Sequence, residues 1–385
     1  MRFELTTANR IVFGEGALKE VAPEAGRLGQ RALLVTGSSP ARAAALLDAL
    51  KSAGLECARF AVAGEPTVGQ VRSGAALARS QSCDLVISMG GGSAIDAGKA
   101  IAALLANSGD VMEYLEVIGN AKPLAADPAP FIAVPTTAGT GSEVTRNSVL
   151  ASPEHRLKVS MRSPRMLPRL ALVDPTLTQE LPPGITASSG FDALTQLIEP
   201  FVSARANPVT DGFCVDGLKR ISRSLRRAYH DARDQTARAD MSLAALLGGL
   251  ALTNAGLGLI HGFASPLGGM YDAPHGALCA ALLPFGMDAN IRALRARAPA
   301  GPALARYATV AEILTGNAGA QPEEGVDWVR RVCEEMAIPP LASYSLRKKD
   351  FPVLVERASR ANSMKTNPVS LTVEELHEVL ERACE

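Results

Sequence analysis

Two of the five histidines stand fourteen residues apart, in His261-Gly-Phe-Ala-Ser265-Pro-Leu-Gly-Gly-Met-Tyr-Asp-Ala-Pro-His275-Gly. As an isolated pair they read as one core and one loop histidine. A carboxylate upstream changes that reading. Asp192 and Gln196 are spaced i, i+4, so both face the same way on a helix. Asp192, His261 and His275 together form an oxygen–nitrogen–nitrogen set. Such a set suits a divalent transition metal with positions left open for water or substrate. A metal so held polarises a carbonyl or stabilises the alkoxide of a bound alcohol. His155, His230 and His377 lie in polar or charged contexts and read as surface residues.

Two glycine-rich stretches offer a second chemistry. Gly90-Gly91-Gly92-Ser93 sits between an apolar strand and a helix. Backbone N–H groups can approach a phosphate there, and the helix N-terminus adds partial positive charge. Ser93 can cap the helix or bond a phosphate oxygen, and Asp96 falls in the first turn. The stretch matches neither Gly-x-Gly-x-x-Gly nor the P-loop pattern, and a plain tight turn competes with the functional reading. Pro135-Thr-Thr-Ala-Gly-Thr-Gly-Ser-Glu143 also follows a strand and packs hydroxyls and glycines into nine residues. Two such loops at adjacent strand ends suit a dinucleotide, whose pyrophosphate needs several donors. A Ser/Thr/Gly surface loop is the alternative.

These residues need elements to position them. Strands are expected at 3–13, 31–36, 56–62, 85–89 and 131–134, with helices near 17–26, 41–53, 68–81 and 94–106. Short apolar strands alternating with helices indicate an α/β fold with a parallel sheet, whose ligands sit at the carboxyl ends of the strands. Beyond Leu181-Pro-Pro-Gly184 the pattern becomes helical, with helices near 186–203, 209–229, 235–258, 276–294, 303–316, 322–336, 348–361 and 372–383. A nucleotide-binding domain over 1–180 and an all-α metal and substrate domain over 181–385 follow. The Ala/Leu/Gly run from Met241 to Ile260 reads as one buried helix that continues into a polar, histidine-containing loop.

Bulk properties narrow the function classes. At 385 residues the chain is too large for one core. Lys plus Arg and Asp plus Glu both number 39, so no net charge marks a nucleic-acid or anionic-membrane partner. Six scattered cysteines without a Cys-x-x-Cys pair argue against a disulfide scaffold or a Cys-rich zinc module. Met-Arg-Phe-Glu-Leu lacks a signal peptide's apolar core. A cytoplasmic enzyme with a small-molecule substrate is expected.

The motifs resemble the iron-containing (group III) alcohol dehydrogenase family, with more distant similarity to glycerol dehydrogenase, maleylacetate reductase and dehydroquinate synthase. The resemblance rests on Gly-Gly-Gly-Ser-Ala-Ile-Asp (90–96), Pro-Thr-Thr-Ala-Gly-Thr-Gly-Ser-Glu-Val-Thr (135–145), Leu-Val-Asp-Pro (172–175), Asp-Ala-Leu-Thr (192–195) and His261 to His275. It implies a dehydroquinate synthase-like architecture: a Rossmann-like N-terminal domain, a helical C-terminal domain and a metal in the cleft between them. It also implies a homodimer or higher homo-oligomer. Asp192, His261 and His275 match metal ligands. Gly91, Gly92, Ser93 and Asp96 match the pyrophosphate loop. Thr136, Thr137, Thr140 and Thr145 match the second nucleotide loop, and Lys158 matches a lysine near the nicotinamide ribose.

Three positions depart from the family pattern. Gln196 stands where the iron enzymes usually have a histidine ligand, and an amide oxygen is a weaker, neutral donor. That implies lower iron affinity or a changed metal: related glycerol dehydrogenases use three ligands and zinc, whereas maleylacetate reductases are thought to use none. Ser265 replaces a histidine proposed as a proton relay, and serine does not titrate near neutrality. Gly37 and Ser38 replace an aspartate that favours NAD, so NADP is admitted and Arg42 stands near enough in sequence to bind its phosphate. The expected activity is interconversion of an alcohol, or a keto-acid substrate's counterpart, with an aldehyde or ketone. It would use NAD or NADP and iron or zinc. The alternatives are a metal-independent reductase, a lyase-type reaction with a transiently oxidised dinucleotide, and a non-catalytic nucleotide-binding protein with a degenerate metal site.

Overall fold

Six strands form one all-parallel sheet in the computed structural model, which describes residues 2–385. They are β1 (Ile11–Phe13), β2 (Arg31–Thr36), β3 (Glu56–Ala61), β4 (Leu85–Gly90), β5 (Phe131–Pro135) and β8 (Leu170–Val173), in the spatial order β1-β8-β5-β4-β2-β3. Strands β6 (Asn147–Ser152) and β7 (Leu157–Arg162) pair as a separate antiparallel hairpin. The central strands are mostly apolar because both faces are covered. Leu33, Val35, Val86 and Ala133 pack on one face with helices α3 (Val68–Ser80) and α4 (Gly92–Ala106). Leu34, Leu85, Ile87 and Ile132 pack on the other with α1 (Val21–Leu28) and α2 (Ala44–Ser52). A one-turn helix, α5 (Val111–Tyr114), follows α4.

From Pro183 onward the described residues contain helices and no strand. These are α6 (Pro183–Val202), α7 (Pro208–His230), α8 (Gln235–Ala255), α9 (Leu259–Met270), α10 (His275–Arg297), α11 (Pro302–Thr315), α12 (Pro322–Glu335), α13 (Phe351–Arg360) and α14 (Val373–Ala383). The chain forms two compact units. One comprises Thr6–Thr137 and Gly141–Gln179; the other is built on Glu180–Glu385 and includes Ala138–Thr140. By length and composition α10 would cross a bilayer, but 83% of its apolar window is buried inside the protein.

Several elements differ from the sequence expectation. Only Ile11–Phe13 of the first segment joins the sheet, pairing with β8 at the edge. The β6–β7 hairpin and β8 were not expected. The buried face of β6 carries Ser148 and Ser152 beside Leu150, which blurs the polar–apolar alternation that signals a strand. The run 241–260 is not one helix. Helix α8 ends at Ala255, and the chain turns through 101° into α9. Gly256 has φ +79°, a left-handed value that a side chain would strain. A Cβ on Gly258 would lie 2.9 Å from Asn367 Oδ1 and 3.0 Å from Glu199 Oε1. Residues 261–270, expected as loop, belong to a helix because Leu259, Ile260, Phe263, Ala264 and Leu267 bury one face. Phe263 therefore belongs to the core.

Candidate metal centre and nucleotide loops

Three helices of the second unit bring the donors together. Asp192, Gln196 and Glu199 occupy successive turns of one face of α6 and are all buried. His261 lies in the first turn of α9, immediately after the bend. His275 opens α10, and Cys279 follows one turn later on the same face. Asp192 Oδ1 is 3.4 Å from His261 Nε2 and 3.7 Å from His275 Nε2. Cys279 Sγ is 3.7 Å from His275 Nε2 and 4.0 Å from His261 Nε2. The four donor atoms lie within 4.8 Å of one another. Bonds of about 2.0–2.3 Å at a tetrahedral metal place neighbouring ligand atoms roughly 3.3–3.6 Å apart, so these side chains fit a transition metal with small adjustment.

The surroundings orient the donors. His261 Nδ1 donates to Glu199 Oε2 at 2.7 Å, which turns Nε2 to the cluster as the nitrogen that would ligate a metal. The other carboxylate oxygen of Glu199 accepts from the Ile260 N–H at 2.7 Å. Gln196 Nε2 donates to Asp192 Oδ1 at 2.8 Å, while Gln196 Oε1 is buried without a hydrogen-bond partner.

The charges reinforce this arrangement. Burial alone would raise the Asp192 carboxyl, but His275 and His261 hold it below the usual range. Burial opposes a charged His261, yet Cys279, Glu199 and Asp192 keep it well above the usual imidazole value. Cys279 is lowered, again against burial, by the two imidazoles. The acceptor-rich cluster thus holds protons on its imidazoles that a divalent cation would displace.

Cys279 and Glu199 escaped the sequence reading. Cys279 passed as one of six scattered thiols, although its i+4 spacing from His275 was the available signal. Glu199 stands at i+7 from Asp192 and so shares that face, which was the available signal. Of the histidines expected at the surface, His155 and His230 are exposed, and His377 is half-buried against Phe351.

The first unit assembles the glycine-rich loops. Strand β4 ends at Gly90, Gly91 caps α4, and the helix starts at Gly92. Ser93 therefore lies inside the first turn and does not cap it, and that turn's N–H groups have no intrahelical partner. Gly90 pairs in register with Pro135, and the Thr136 N–H donates to Gly90 O at 2.9 Å. A Cβ on Gly91 would come within 3.3 Å of Thr137, and one on Gly90 within 3.2 Å of Gly37 N. Gly37, Gly91, Gly92, Ser93, Thr136 and Thr137 thus gather at one sheet edge, with exposed Ser38 next to Gly37. Arg42 Nη2 donates to Leu177 O at 2.7 Å.

Other expected nucleotide residues have partners within the protein. The fully buried Lys99 ammonium donates to Ser142 O at 2.8 Å, Thr145 Oγ1 at 2.9 Å and Asn147 O at 2.6 Å. Asp96 accepts from the Ser142 hydroxyl and from the Val149 N–H at 2.9 Å. Asp96 and Thr145 therefore brace the second loop and the hairpin against α4. Lys158, on β7, pairs with Glu65 at 2.9 Å. Thr140 belongs to the helical unit and follows Gly139, whose added Cβ would lie 2.8 Å from Ser189 Cβ on α6.

Known proteins share this whole plan. A family model described as iron-containing alcohol dehydrogenase matches residues 8–175, and one described as Fe-containing alcohol dehydrogenase family, C-terminal, matches residues 186–384. Alcohol dehydrogenase 4 of Saccharomyces cerevisiae (strain YJM789) is 36% identical over 381 residues, spanning 97% of this chain and 96% of that protein. The crystal structure of 1,3-propanediol oxidoreductase has a TM-score of 0.91 at 34% identity and covers 100% of both chains. Sulfoacetaldehyde reductase from Bifidobacterium kashiwanohense, solved in complex with NAD+, has a TM-score of 0.87 at 27% identity, covering 100% of this chain and 99% of that one. With both halves matched at full length, the chain belongs to the iron-containing alcohol dehydrogenase family and is a metal-assisted, NAD-dependent oxidoreductase of alcohols and aldehydes.

Proposed function

We propose that Asp192, His261 and His275 hold a divalent metal, iron or zinc, and that Gly91, Gly92 and Ser93 at the α4 N-terminus bind the pyrophosphate of NAD or NADP. The observation that carries this reading is the gathering of the Asp192, His261, His275 and Cys279 donor atoms within 4.8 Å, with His261 oriented by Glu199. When bound, the metal supplies Lewis-acid polarisation of a substrate oxygen, which favours hydride transfer at the adjacent carbon. Asp192 contributes the negative charge, and the Gln196 N–H restrains its carboxylate. Glu199 fixes the His261 ring so that Nε2 is always presented.

The first unit serves as the nucleotide domain and the second as the metal and substrate domain. Thr136, Thr137 and Thr140 offer hydroxyls to the cofactor, and Lys158 stands for the nicotinamide ribose. Asp96 and Thr145 act by positioning the loop through Lys99 and Ser142. Gly37 and Ser38 carry no carboxylate to repel a 2′-phosphate, so both nicotinamide cofactors are accepted. Substrates are small alcohols, aldehydes or keto acids. The setting is cytoplasmic, in keeping with six free thiols, and the assembly a homodimer or higher homo-oligomer.

The test is oxidation of NADH and NADPH against aldehydes and keto acids, using protein stripped with chelator and then given Zn²⁺ or Fe²⁺. Turnover should require the metal and should be lost in Asp192→Asn while nucleotide binding persists. Full turnover by the stripped protein would refute the metal-assisted assignment.

A further inference from the structure

We infer that Cys279 is a thiolate ligand of the metal, and that it takes the place Gln196 leaves open, giving an Asp192/His261/His275/Cys279 site suited to zinc or cobalt over iron. This rests on the proposal that the cluster holds a metal at all.

Geometry favours Cys279 over Gln196. The thiol is fully buried and contacts both imidazole Nε2 atoms, at 3.7 and 4.0 Å. Zinc–sulfur bonds of about 2.3 Å and zinc–nitrogen bonds of about 2.0–2.1 Å imply a tetrahedral sulfur–nitrogen edge of roughly 3.5–3.6 Å. Contraction by a few tenths of an ångström suffices. Other thiols in the chain behave differently: Cys57 and Cys333 each turn to a backbone carbonyl at 3.6 Å.

Gln196 is aimed at the same cluster in the wrong sense. It is buried and presents its N–H, not its oxygen, to Asp192. An N–H donor cannot ligate a cation. Bringing Oε1 round would break the 2.8 Å bond to Asp192 and move the oxygen away from Gly248, where an added Cβ would lie 3.6 Å from it. Cys279 requires no such rearrangement.

Charge is compatible with the same answer. Asp192 is the one carboxylate among the four clustered donors, and Glu199 is held on the far nitrogen of the His261 ring. A thiolate at Cys279 therefore gives the cation a second anionic donor in direct contact. Binding exchanges one bond for another without redox change: the S–H bond breaks, the S–metal bond forms and the proton leaves to solvent. Thiolate is a soft donor, so the site should hold zinc and cobalt in preference to a metal that favours oxygen ligands.

The experiment loads full-length wild type, Cys279→Ser, Cys279→Ala, Gln196→Ala and Asp192→Asn with Co²⁺. Near-ultraviolet thiolate-to-cobalt charge transfer is read alongside retention of Zn²⁺ against a chelator. Nucleotide binding and circular dichroism report folding of each variant. Wild type and Gln196→Ala should show the charge-transfer band. Both Cys279 variants should lose it and retain zinc about 10-fold or more weakly. Stoichiometric cobalt binding that depends on Asp192 but shows no thiolate band overturns this inference and leaves the metal reading intact. Zinc retention lowered by Gln196→Ala but not by Cys279→Ser also overturns it. Wild type that binds no cobalt overturns both readings together.

Discussion

Glu199 and His261 lie 62 residues apart in sequence and meet through a 2.7 Å hydrogen bond between Oε2 and Nδ1. That bond fixes which imidazole nitrogen faces Asp192. Partners of this kind typically contribute 10–100-fold, roughly, to metal affinity or activity. Glu199→Gln should keep an acceptor for the Ile260 N–H but lose the charge, weakening zinc binding by about 10-fold or more with a matching fall in kcat. Chelator competition and steady-state kinetics measure both. Unchanged affinity would show that Glu199 only packs.

Gly276 sits beside His275, and a Cβ there would lie 2.1 Å from Ser188 O on α6. No rotamer relieves a clash with backbone, so α10 would have to move away from α6, and His275 would move with it. Gly276→Ala should cost about 1–3 kcal/mol of stability, as overpacking does, and should lower metal content disproportionately. Thermal unfolding and elemental analysis together decide this. A stable variant with full metal content would refute it.

Lys99 buries its ammonium among oxygen atoms of Ser142, Thr145 and Asn147, with Asp96 at 3.5 Å. Lys99→Met would leave those acceptors without a donor and Asp96 without its cation. The expected loss is about 3–5 kcal/mol, with weaker NAD(P)H binding because the second loop is released. Chemical denaturation and cofactor fluorescence test it.

Glu143 is almost completely buried, and burial pushes its carboxyl up to about 7 despite its own backbone N–H and the nearby Lys99. The folded state therefore holds this proton more tightly than the unfolded chain, where the value is near 4.5. The stability this contributes is fully present below the unfolded value and is lost as pH rises through about 7. Relative to wild type, Glu143→Gln should gain on the order of 2–3 kcal/mol between pH 5 and pH 8. Denaturant unfolding across that range reads the difference. Parallel pH curves for the two proteins would show that Glu143 does not titrate there.

Much of the fold was legible because it is written locally. The runs at 32–35, 85–87 and 131–134 are apolar, as strands buried on both faces must be. Helices α6 to α8 and α10 to α14 show polar–apolar periodicity or long apolar stretches. Helix α9 was missed because Pro266 and its flanking glycines resemble loop composition, although its buried face has a helical period. The β6–β7 hairpin was missed because serine occupies inward positions that hydroxyl hydrogen bonds, not hydrophobicity, make tolerable; Ser148 donates to the Asp96 carbonyl at 2.7 Å.

The sequence by itself determined the candidate donors Asp192, His261 and His275, the two loops at strand ends, and the class of chemistry expected of them. Residue type sets donor chemistry, and a strand-to-helix junction exposes its N–H groups wherever it occurs. Only the tertiary structure decided that Cys279 and Glu199 belong to the same cluster and that Gln196 turns its N–H toward Asp192. Periodicity says which face of a helix is buried. It does not say which polar groups on buried faces of different helices lie at the same depth, because that depends on the 101° turn at Gly256–Gly258 and on the close approach of α10 to α6 at Gly276.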